Sequence, residues 1–464
     1  MPARQRSPRI QQAPEWGIEP VPPDQRRLGF LDQAVLWGNL GVSLLVLVAG
    51  ALLVPALGLW PALAATAVGA LIGNTLLGLA AVPAAETGVP AMVLYRAPLG
   101  VRGSLLPTAC NVVQNLGWAT FELFVIATAA TAISERVFGV GGRPVWVLVF
   151  GVAATAMAVA GPLTVLRRWL RRFAVWAVLA STSYLTWYAL TRFDLGRLAD
   201  QAGQGGLSFW VGVDLAVALP ISWVPLVADY ARFGRSAGAT FWGTGLGYLL
   251  AQVWFFALGI LFLLAIGQGD VIAALLAVPV GLLAMAVLVV DELDEVFANL
   301  YSAGVSLKNA GPRLPGRRVA IALGAVATLL AILVDDLARY ENFLFLLGAL
   351  FVPLFGVLAA DYYVLARRRY DVAAMYRLDG PYGGVRWPAV LVWLLGFLVY
   401  NWINPGTVTA WVSLVEGLFA DLLGLPFPLS SRVPWLGASL PAFAVAFLAM
   451  LAVGRRSGRD KETP

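Results

Sequence analysis

The chain has 464 residues, of which 60% are hydrophobic and only 12% are charged. A soluble protein of this length would carry about twice that charged fraction, so the composition indicates an integral membrane protein built of helices. The single cysteine, Cys110, and the absence of histidine exclude an intrachain disulfide, a histidine metal site and any Ser–His or Cys–His catalytic pair.

Residues 1–28 are rich in Pro and Arg and lack the apolar stretch of a signal peptide, which predicts a disordered cytoplasmic tail. Apolar runs of about 20 residues then recur to the end of the chain. They predict twelve membrane spans: 31–57, 61–83, 104–133, 144–163, 173–191, 209–230, 240–267, 271–306, 319–334, 341–366, 388–403 and 434–453.

The distribution of basic residues predicts the orientation of these spans. With the N-terminus inside, 26 of the 32 Lys and Arg residues fall in inside segments, including a second cytoplasmic tail at 454–464. This asymmetry follows the positive-inside rule, predicts that both termini lie in the cytoplasm, and explains the basic charge without a nucleic-acid partner. We expect the plasma (inner) membrane as the location. The apolar segment 407–423, which carries two acids, is predicted to be an interfacial helix in the last outer loop.

Two spans contain residues that interrupt helices. Span 1 contains Trp37-Gly-Asn-Leu-Gly-Val-Ser43, and span 6 contains Pro220-Ile-Ser-Trp-Val-Pro225. Gly and Pro are common in transmembrane helices, but interrupted helices at matching places in two halves are typical of transporter sites. Spans 1 and 6 lie five apart, as an inverted repeat of five-plus-five helices requires.

Span 3 carries an aromatic residue and a carboxylate on one helical face. Trp118 and Glu122 are four residues apart, so they lie one turn from each other. This pair suits a planar heterocycle, whose ring stacks on the indole while the acid accepts its N–H groups. The alternative is that Trp118 packs against lipid and Glu122 pairs within the bundle.

Span 8 contains four carboxylates, Asp291, Glu292, Asp294 and Glu295, followed by Asn299. On a helical wheel they occupy one half of the helix, with apolar residues on the other half. Charges at membrane depth are costly and are typical of ion or proton pathways. The alternative is that 271–290 spans the membrane alone and that the acids form a cytoplasmic extension.

Four carboxylates within one and a half turns cannot all stay ionised without counter-charge, and no basic residue lies near them in sequence. Some are therefore protonated or bind a cation, and either choice makes this cluster an ion-coupling element. At the inner end of span 6, Asp229 and Arg232 are predicted to anchor the helix end and gate the inner mouth.

Several of these motifs resemble the nucleobase–cation symporter family, which includes cytosine, purine, hydantoin and hydroxymethylpyrimidine permeases. The resemblance covers roughly residues 28–370. It is carried by Gly88-Val-Pro-Ala-Met-Val-Leu-Tyr-Arg96, Leu99-Gly-Val-Arg-Gly103, Gly117-Trp118, Ser222-Trp-Val-Pro-Leu-Val-Ala-Asp-Tyr-Ala-Arg232 and Asn299-Leu-Tyr-Ser-Ala-Gly-Val-Ser306.

The resemblance implies an all-α polytopic fold with a ten-helix inverted-repeat core at 29–370, broken helices 1 and 6, and two peripheral helices with the interfacial segment at 371–453. Substrate would lie between spans 1, 3, 6 and 8. Trp118 matches the family's stacking Trp, Glu122 falls where some members have Gln, and Asn299 matches a substrate-binding Asn. Asn39 and Ser43, in the break of span 1, are further candidate substrate ligands.

The resemblance also implies a cation site made by carbonyls of broken span 1, at Gly41 and Val42, and by span 8. Here the chain departs from the family, because Asp294 stands where a hydroxyl ligand is expected. An acid there favours proton coupling, with Na⁺ near Asp294 as the alternative. In span 6 the usual stacking aromatic would fall at Pro220, so Trp223 is the nearest candidate.

We therefore predict a secondary active transporter, not an enzyme, that imports a nucleobase-like heterocycle with a coupling cation and without a cofactor. The expected partners are the substrate, the cation and the bilayer, and we expect a monomer. The alternatives are a carrier of another small solute on the same fold, an intramembrane enzyme that uses the span 8 carboxylates, and a channel.

Overall fold

The computed structural model describes residues 17–160, 175–266, 271–334 and 339–456, and these ranges are helical, without a β-strand. Within the described ranges, each of the twelve predicted spans falls on a helix or an interrupted helix, and the predicted span ends at 161–163, 173–174 and 267 lie outside those ranges. Their bounds are Phe30–Leu40 with Leu44–Ala51 (span 1), Leu59–Thr87 (2), Leu105–Phe138 (3), Arg143–Ala160 (4), Val175–Arg192 (5), Phe209–Ala231 (6), Ala237–Ile266 (7), Gly281–Asp291 with Leu293–Ala310 (8), Gly316–Leu333 (9), Arg339–Ala359 (10), Trp387–Ile403 (11) and Ser439–Arg456 (12).

Shorter helical segments connect the spans. They are Pro23–Gln25, Ala91–Leu94, Arg96–Leu99, Leu195–Asp200, Val271–Ala277, Ala360–Leu365, Ala374–Tyr376, Thr409–Glu416, Gly417–Leu422 and Leu429–Arg432. Seven of the described helices are long and apolar enough to cross a membrane singly, and the bent pair of span 1 makes an eighth. The segment predicted as an interfacial helix is indeed helical, while its place at the membrane surface stays a prediction.

The spans pack in two groups. Span 2 packs along spans 6 and 7, and span 1 packs along span 7, whereas span 3 packs along span 8 and span 4 along span 9. Spans 10, 11 and 12 pack on one another beside these groups, and span 10 also contacts span 6. A five-plus-five repeat relates span 1 to span 6 and span 2 to span 7. The contact between spans 1 and 7 therefore corresponds to the contact between spans 6 and 2.

Glycine permits the close approach of spans 1 and 7. A Cβ atom added at Gly247 would lie 2.5 Å from the carbonyl oxygen of Ala34, and one added at Gly259 would lie 2.0 Å from that of Leu47. Real Cβ atoms do not approach backbone so closely, so each position requires glycine at the present helix separation. Small residues at such contacts are how membrane helices gain packing area.

The predicted break in span 6 is wrong, because this helix is continuous from Phe209 to Ala231 and contains Pro220 and Pro225. Proline at 220 removes the hydrogen bond to the carbonyl of Ala216. The side chain of Gln252 in span 7 replaces it, with Nε2 donating to the Ala216 oxygen at 2.6 Å. A neighbouring helix thus satisfies the backbone group that proline leaves free, and the helix remains intact.

Span 8 begins later than predicted. The segment 271–290 is not one helix: Val271–Ala277 ends before Pro279, Val280 has a left-handed backbone with φ 59°, and a new helix begins at Gly281. The alternative in which 271–290 crosses the membrane as one helix is therefore wrong, while the depth of the acids in the membrane stays a prediction. The four carboxylates lie around Glu292, the residue between the helices Gly281–Asp291 and Leu293–Ala310.

The N-terminal segment 17–28 is not disordered, which corrects that part of the predicted tail; residues 1–16 lie outside the described ranges, as do 457–464. Arg26 donates to the carbonyls of Val21, Ala85, Glu86 and Thr87, so it caps the end of span 2. Leu28 exchanges two backbone hydrogen bonds with Phe233 and Arg235 beyond span 6. We call the side of the bundle that this segment covers the N-terminal face.

We expect Gly247→Ala to lower the melting temperature of the detergent-purified protein by several degrees. The new methyl group must push Ala34 away from span 7, and overpacking of this kind costs roughly 1–3 kcal/mol. Gly238→Ala is the matched control in the same span, because nothing lies within 4 Å of its added Cβ. Equal melting temperatures for the two variants would contradict the close-packing argument.

Candidate functional site

The break in span 1 is the centre of the site. The two helical halves meet at 62°, with Gly41 ending the first and Ser43 beginning the second. Ser43 has an extended backbone, and its hydroxyl accepts the amide hydrogen of Leu45, as an N-cap serine does. A Cβ added at Gly41 would lie 2.7 Å from Cβ of Ala251, so span 7 packs directly against the break.

Glu292 connects the break in span 8 to the break in span 1. One carboxylate oxygen accepts the Ser43 hydroxyl hydrogen at 2.7 Å, and the other accepts the Leu44 amide hydrogen at 2.8 Å. Glu292 is 2% exposed. The first turn of a helix has free amide hydrogens and a partial positive charge, so a carboxylate stabilises it.

Asp294 binds the other half of span 1. Its Oδ2 accepts a hydrogen bond from Nδ2 of Asn39 at 2.7 Å. The predicted substrate ligands Asn39 and Ser43 are therefore both hydrogen-bonded to span 8 carboxylates. The predicted cation residues Gly41 and Val42 lie between them, in the break itself.

Glu122 of span 3 and Asn299 of span 8 form a direct hydrogen bond between these two spans. Nδ2 of Asn299 donates to Oε1 of Glu122 at 2.9 Å and to the carbonyl of Glu295, one turn earlier, at 3.1 Å. Glu122 is 2% exposed and Glu295 is 3% exposed. Glu122 Oε2, Glu295 Oε1 and Asp291 Oδ1 are buried and accept no hydrogen bond.

Four buried acids and the partly buried Asp294 form one cluster without basic partners. Among the described residues, no Lys or Arg forms an ion pair with Glu122, Asp291, Glu292, Asp294 or Glu295. No group of three or more described His, Cys, Asp or Glu residues has a geometry that could hold a metal ion. The region therefore offers an excess of hydrogen-bond acceptors and negative charge.

Trp118 lies at the edge of an aromatic cluster. Its ring packs edge-on against Tyr340 at 5.8 Å and Phe343 at 5.4 Å, both from span 10. The Tyr340 hydroxyl donates to the carbonyl of Leu45, directly after the capped amide of Leu44. Trp118 is thus connected to span 1 through Tyr340, and it lies on the same face of span 3 as Glu122.

Trp223 belongs to a different aromatic cluster. Its indole Nε1 donates to the Tyr248 hydroxyl at 3.0 Å, and its ring packs edge-on against Trp37 at 5.6 Å. Trp37 is fully buried among Trp223, Tyr230 and Tyr248. The hypothesis that Trp223 contacts substrate stays a prediction.

Asp229 and Arg232 lie at the N-terminal face. Asp229 accepts the Ala91 amide hydrogen at 3.1 Å, which fixes the start of the short helix after span 2. The buried guanidinium of Arg232 donates to the carbonyl of Gly17 at 2.9 Å. These residues anchor the helix end and the N-terminal segment, and their predicted gating role is untested.

Sequence reasoning missed the residues that support the site from other spans. Tyr340 and Phe343 enclose Trp118, and Gln252 satisfies the backbone of span 6. Arg96 and Asn309 form a second buried polar cluster, in which Arg96 Nε donates to Asn309 Oδ1 at 2.9 Å. Gln252 could have been singled out as a polar residue within an apolar run. Its partner, the carbonyl of Ala216, could not be predicted because it lies on another helix.

Comparison with known proteins agrees with this architecture. Residues 20–420 match the family described as permeases for cytosine/purines, uracil, thiamine and allantoin. The hydantoin permease of Microbacterium maritypicum is 25% identical over 447 residues, which cover 91% of this chain and 89% of that permease. The cytosine permease of Escherichia coli (strain K12) is 30% identical over 351 residues, which cover 73% and 78% of the two chains.

Two solved structures share the fold. The inward-facing conformation of Mhp1 has a TM-score of 0.78 at 22% identity and covers 95% of this chain and 93% of that one. Mhp1, a nucleobase-cation-symport-1 family transporter, in a closed conformation with bromovinylhydantoin bound, has a TM-score of 0.77 at 21% identity, with coverage of 96% and 94%. This likeness confirms the predicted all-α transporter fold.

The broken span 1, the buried polar groups beside it and these likenesses define a multi-pass membrane transporter rather than an enzyme. Within that class, the chain belongs to the family of permeases for cytosine/purines, uracil, thiamine and allantoin.

We expect Glu292→Gln to loosen the start of the second half of span 1. The carboxamide of Gln has only one acceptor oxygen. Its NH₂ group would therefore face either the Ser43 hydroxyl or the Leu44 amide, both of which now donate to the carboxylate. Loss of such a cap costs about 1 kcal/mol, which is roughly fivefold in a local opening equilibrium. Hydrogen exchange measured by mass spectrometry should be faster in a peptide covering 43–51.

Asp291→Asn is the control for this variant, because Asp291 Oδ1 accepts no hydrogen bond and the residue contacts neither half of span 1 through a described hydrogen bond. It should leave the exchange of 43–51 nearly unchanged. Equal exchange in both variants would show that Glu292 does not stabilise the helix start.

Proposed function

We propose that this permease is a secondary active transporter that imports a nucleobase-like heterocycle by symport with a cation, and that the ion is H⁺. The observation that carries the proposal is the cluster of buried polar groups beside the break of span 1, where Asn299 donates to Glu122 and Trp118 lies on the same face of span 3 as Glu122. It combines an aromatic surface with hydrogen-bonding groups, the two features that a flat, polar ring requires.

The support for a heterocycle is the arrangement on span 3. Trp118 and Glu122 face the same side of the helix one turn apart, and Asn299 holds the carboxylate from span 8. A base that stacks on an aromatic side chain gains about 1–3 kcal/mol, and the carboxylate orients it through its N–H groups. Relatives named for hydantoin and cytosine support the same substrate class.

The support for cation coupling is the contact between span 8 and both halves of span 1. Glu292 accepts from Ser43 and Leu44, and Asp294 accepts from Asn39. A proton on either carboxylate would neutralise its charge or occupy an acceptor oxygen. The hydrogen bonds between that carboxylate and its half of span 1 would then change in strength. Because binding is reciprocal, cation and substrate should each raise the affinity for the other.

The choice of H⁺ rests on the ligands that the carboxylates already have. Each oxygen of Glu292 already accepts a hydrogen bond from span 1, and a proton needs a lone pair on only one carboxylate oxygen, whereas Na⁺ needs several oxygen ligands at once. Na⁺ near Asp294 is the competing proposal. We further propose the plasma (inner) membrane as the location, with both termini in the cytoplasm, because the basic residues concentrate on the side of the N-terminus.

We expect Trp118→Ala to weaken cytosine binding at least tenfold, because it removes the stacking surface. Trp60→Ala is the matched control, since Trp60 is 65% exposed, far above the 7% of Trp118. Binding of radiolabelled cytosine to purified protein measures the effect. Full binding by Trp118→Ala would contradict the stacking proposal.

The proposed function itself is tested by thermal stabilisation of the purified protein with cytosine, uracil, hydroxymethylpyrimidine, adenine, hypoxanthine, allantoin and hydantoin. We expect at least one ligand to stabilise the protein, by roughly 2.7 kcal/mol at 100 times its dissociation constant. The measurement is made at two pH values, with and without Na⁺. Stabilisation that follows pH supports H⁺, stabilisation that requires Na⁺ supports Na⁺, and no stabilisation by any ligand contradicts the heterocycle proposal.

A further inference from the structure

We propose that an open cavity on the N-terminal face binds the phosphate headgroup of an anionic lipid. The cavity has a volume of about 550 Å³ and lies where the N-terminal segment 17–28, the end of span 2 and the chain after span 10 meet. This lipid site is separate from the break of span 1, and it requires neither the substrate nor the coupling ion.

The cavity carries an excess of positive charge. Arg26, Arg368 and Arg369 line it, and Glu86 is the one acid among its described lining residues. Glu86 is already engaged, because it forms an ion pair with Arg368 and accepts the hydroxyl hydrogen of Tyr362. Neither Arg26 nor Arg369 forms an ion pair with a described residue. Two guanidinium groups of the cavity therefore carry charge that no acid neutralises within the described ranges.

These two arginines differ in the hydrogen bonds that they make. The guanidinium of Arg26 donates to the carbonyls of Val21 and of residues 85–87, so it supplies positive charge at a fixed position. Arg369 is exposed, and no described residue accepts a hydrogen bond from its side chain. A guanidinium group matches the geometry of phosphate oxygens, and Arg369 has its N–H donors available for such a pair.

The backbone after span 10 adopts a strained turn that brings the arginines to the cavity. Arg367 and Arg368 have left-handed backbones, with φ of 49° and 62°. Residues with a Cβ atom rarely adopt this conformation, because it places Cβ close to the following carbonyl oxygen. The amide of Arg368 donates to the Tyr362 carbonyl at 2.7 Å, which closes the turn. Backbone strain of this kind is typical of functional sites, and here it presents basic side chains.

The surroundings of the cavity favour a lipid over a soluble anion. On span 2, Leu71 and Thr75 are exposed and lie on the same helical face as Glu86, because intervals of 4 and 11 residues return to one side of a helix. On span 10, Val364 is 40% exposed and precedes Arg367 by one turn. The cavity thus lies at the end of two exposed helix surfaces, where basic residues attract anionic headgroups.

Lipid binding to the detergent-purified, full-length protein tests this proposal. Native mass spectrometry measures the affinity for dioleoyl phosphatidylglycerol and, separately, for dioleoyl phosphatidylcholine, in which a positive charge balances the phosphate. We expect phosphatidylglycerol to bind at least about fivefold more tightly. Equal affinities of the two lipids would overturn the proposal.

The variant Arg369→Gln should bind phosphatidylglycerol about fivefold more weakly, because it removes one basic residue near the headgroup. Arg317→Gln is the matched control, since Arg317 is also exposed and lies at the start of span 9, on the predicted inside, but does not line the cavity. An equal loss in the two variants would indicate general attraction to a basic surface and would contradict a defined site.

The variant Glu86→Gln provides a test of opposite sign. It removes the acid from the cavity and keeps a side chain of similar shape, so phosphatidylglycerol should bind more tightly than to the wild-type protein. Unchanged or weaker binding by the folded variant would refute the electrostatic argument. If this variant does not fold, the comparison of the two lipids on the wild-type protein decides.

Inorganic phosphate distinguishes the two possible sources of the anionic group. We expect it not to displace phosphatidylglycerol at equal concentration, because it lacks the acyl chains that would lie along spans 2 and 10. Displacement at equal concentration would assign the cavity to a soluble phosphate and overturn the lipid proposal.

Discussion

The carboxylate of Glu292 at the start of the second half of span 1 is the contact on which the site depends. A helix that begins inside a membrane bundle exposes free amide hydrogens where no water can bind them. One carboxylate oxygen of Glu292 accepts the Leu44 amide hydrogen. The other accepts the hydroxyl hydrogen of Ser43, whose own oxygen accepts the Leu45 amide hydrogen. Because Glu292 is itself the residue at which span 8 is interrupted, the two breaks fix each other.

This arrangement has an electrostatic consequence. Asp291 and Glu295 are buried next to Glu292, Asp294 is partly buried beside them, and Glu122 joins them from span 3. Like charges at short range in a poorly solvated region repel, so the cluster holds fewer negative charges than carboxyl groups unless cations bind there. The side chains that hold the break of span 1 are therefore members of the cluster in which this repulsion acts.

Much of this could be predicted from local sequence. Hydropathy located the twelve spans, the Gly and Ser residues of 37–43 located the break in span 1, and helical spacing placed Trp118 beside Glu122. The continuity of span 6 could not be predicted, because Gln252, which satisfies the carbonyl opposite Pro220, lies on another span. The start of span 8 was obscured because residues on both sides of Pro279 are equally apolar.

The ordered structure of the N-terminal segment 17–28 also could not be predicted from the sequence. Arg26 and Arg232 bind backbone carbonyls that come together only in the folded chain, so composition alone indicated a flexible tail. The tyrosine hydroxyl of Tyr376 donates to the carbonyl of Ile18, and burial raises the pKa of this tyrosine to about 12, so the donor is retained at neutral pH. These contacts tie the segment to the ends of spans 2 and 6.

The contacts within a group of spans include close glycine packing, and the contacts between the groups include hydrogen bonds to carboxylates. Within a group, glycine contacts such as Gly247 on Ala34 give close apolar packing that ions do not affect. Between groups, the hydrogen bonds from span 1 to Glu292 and Asp294 depend on charge. The proposed coupling ion would bind at this contact between the two groups of spans, where charge matters, and not at the glycine contacts inside a group.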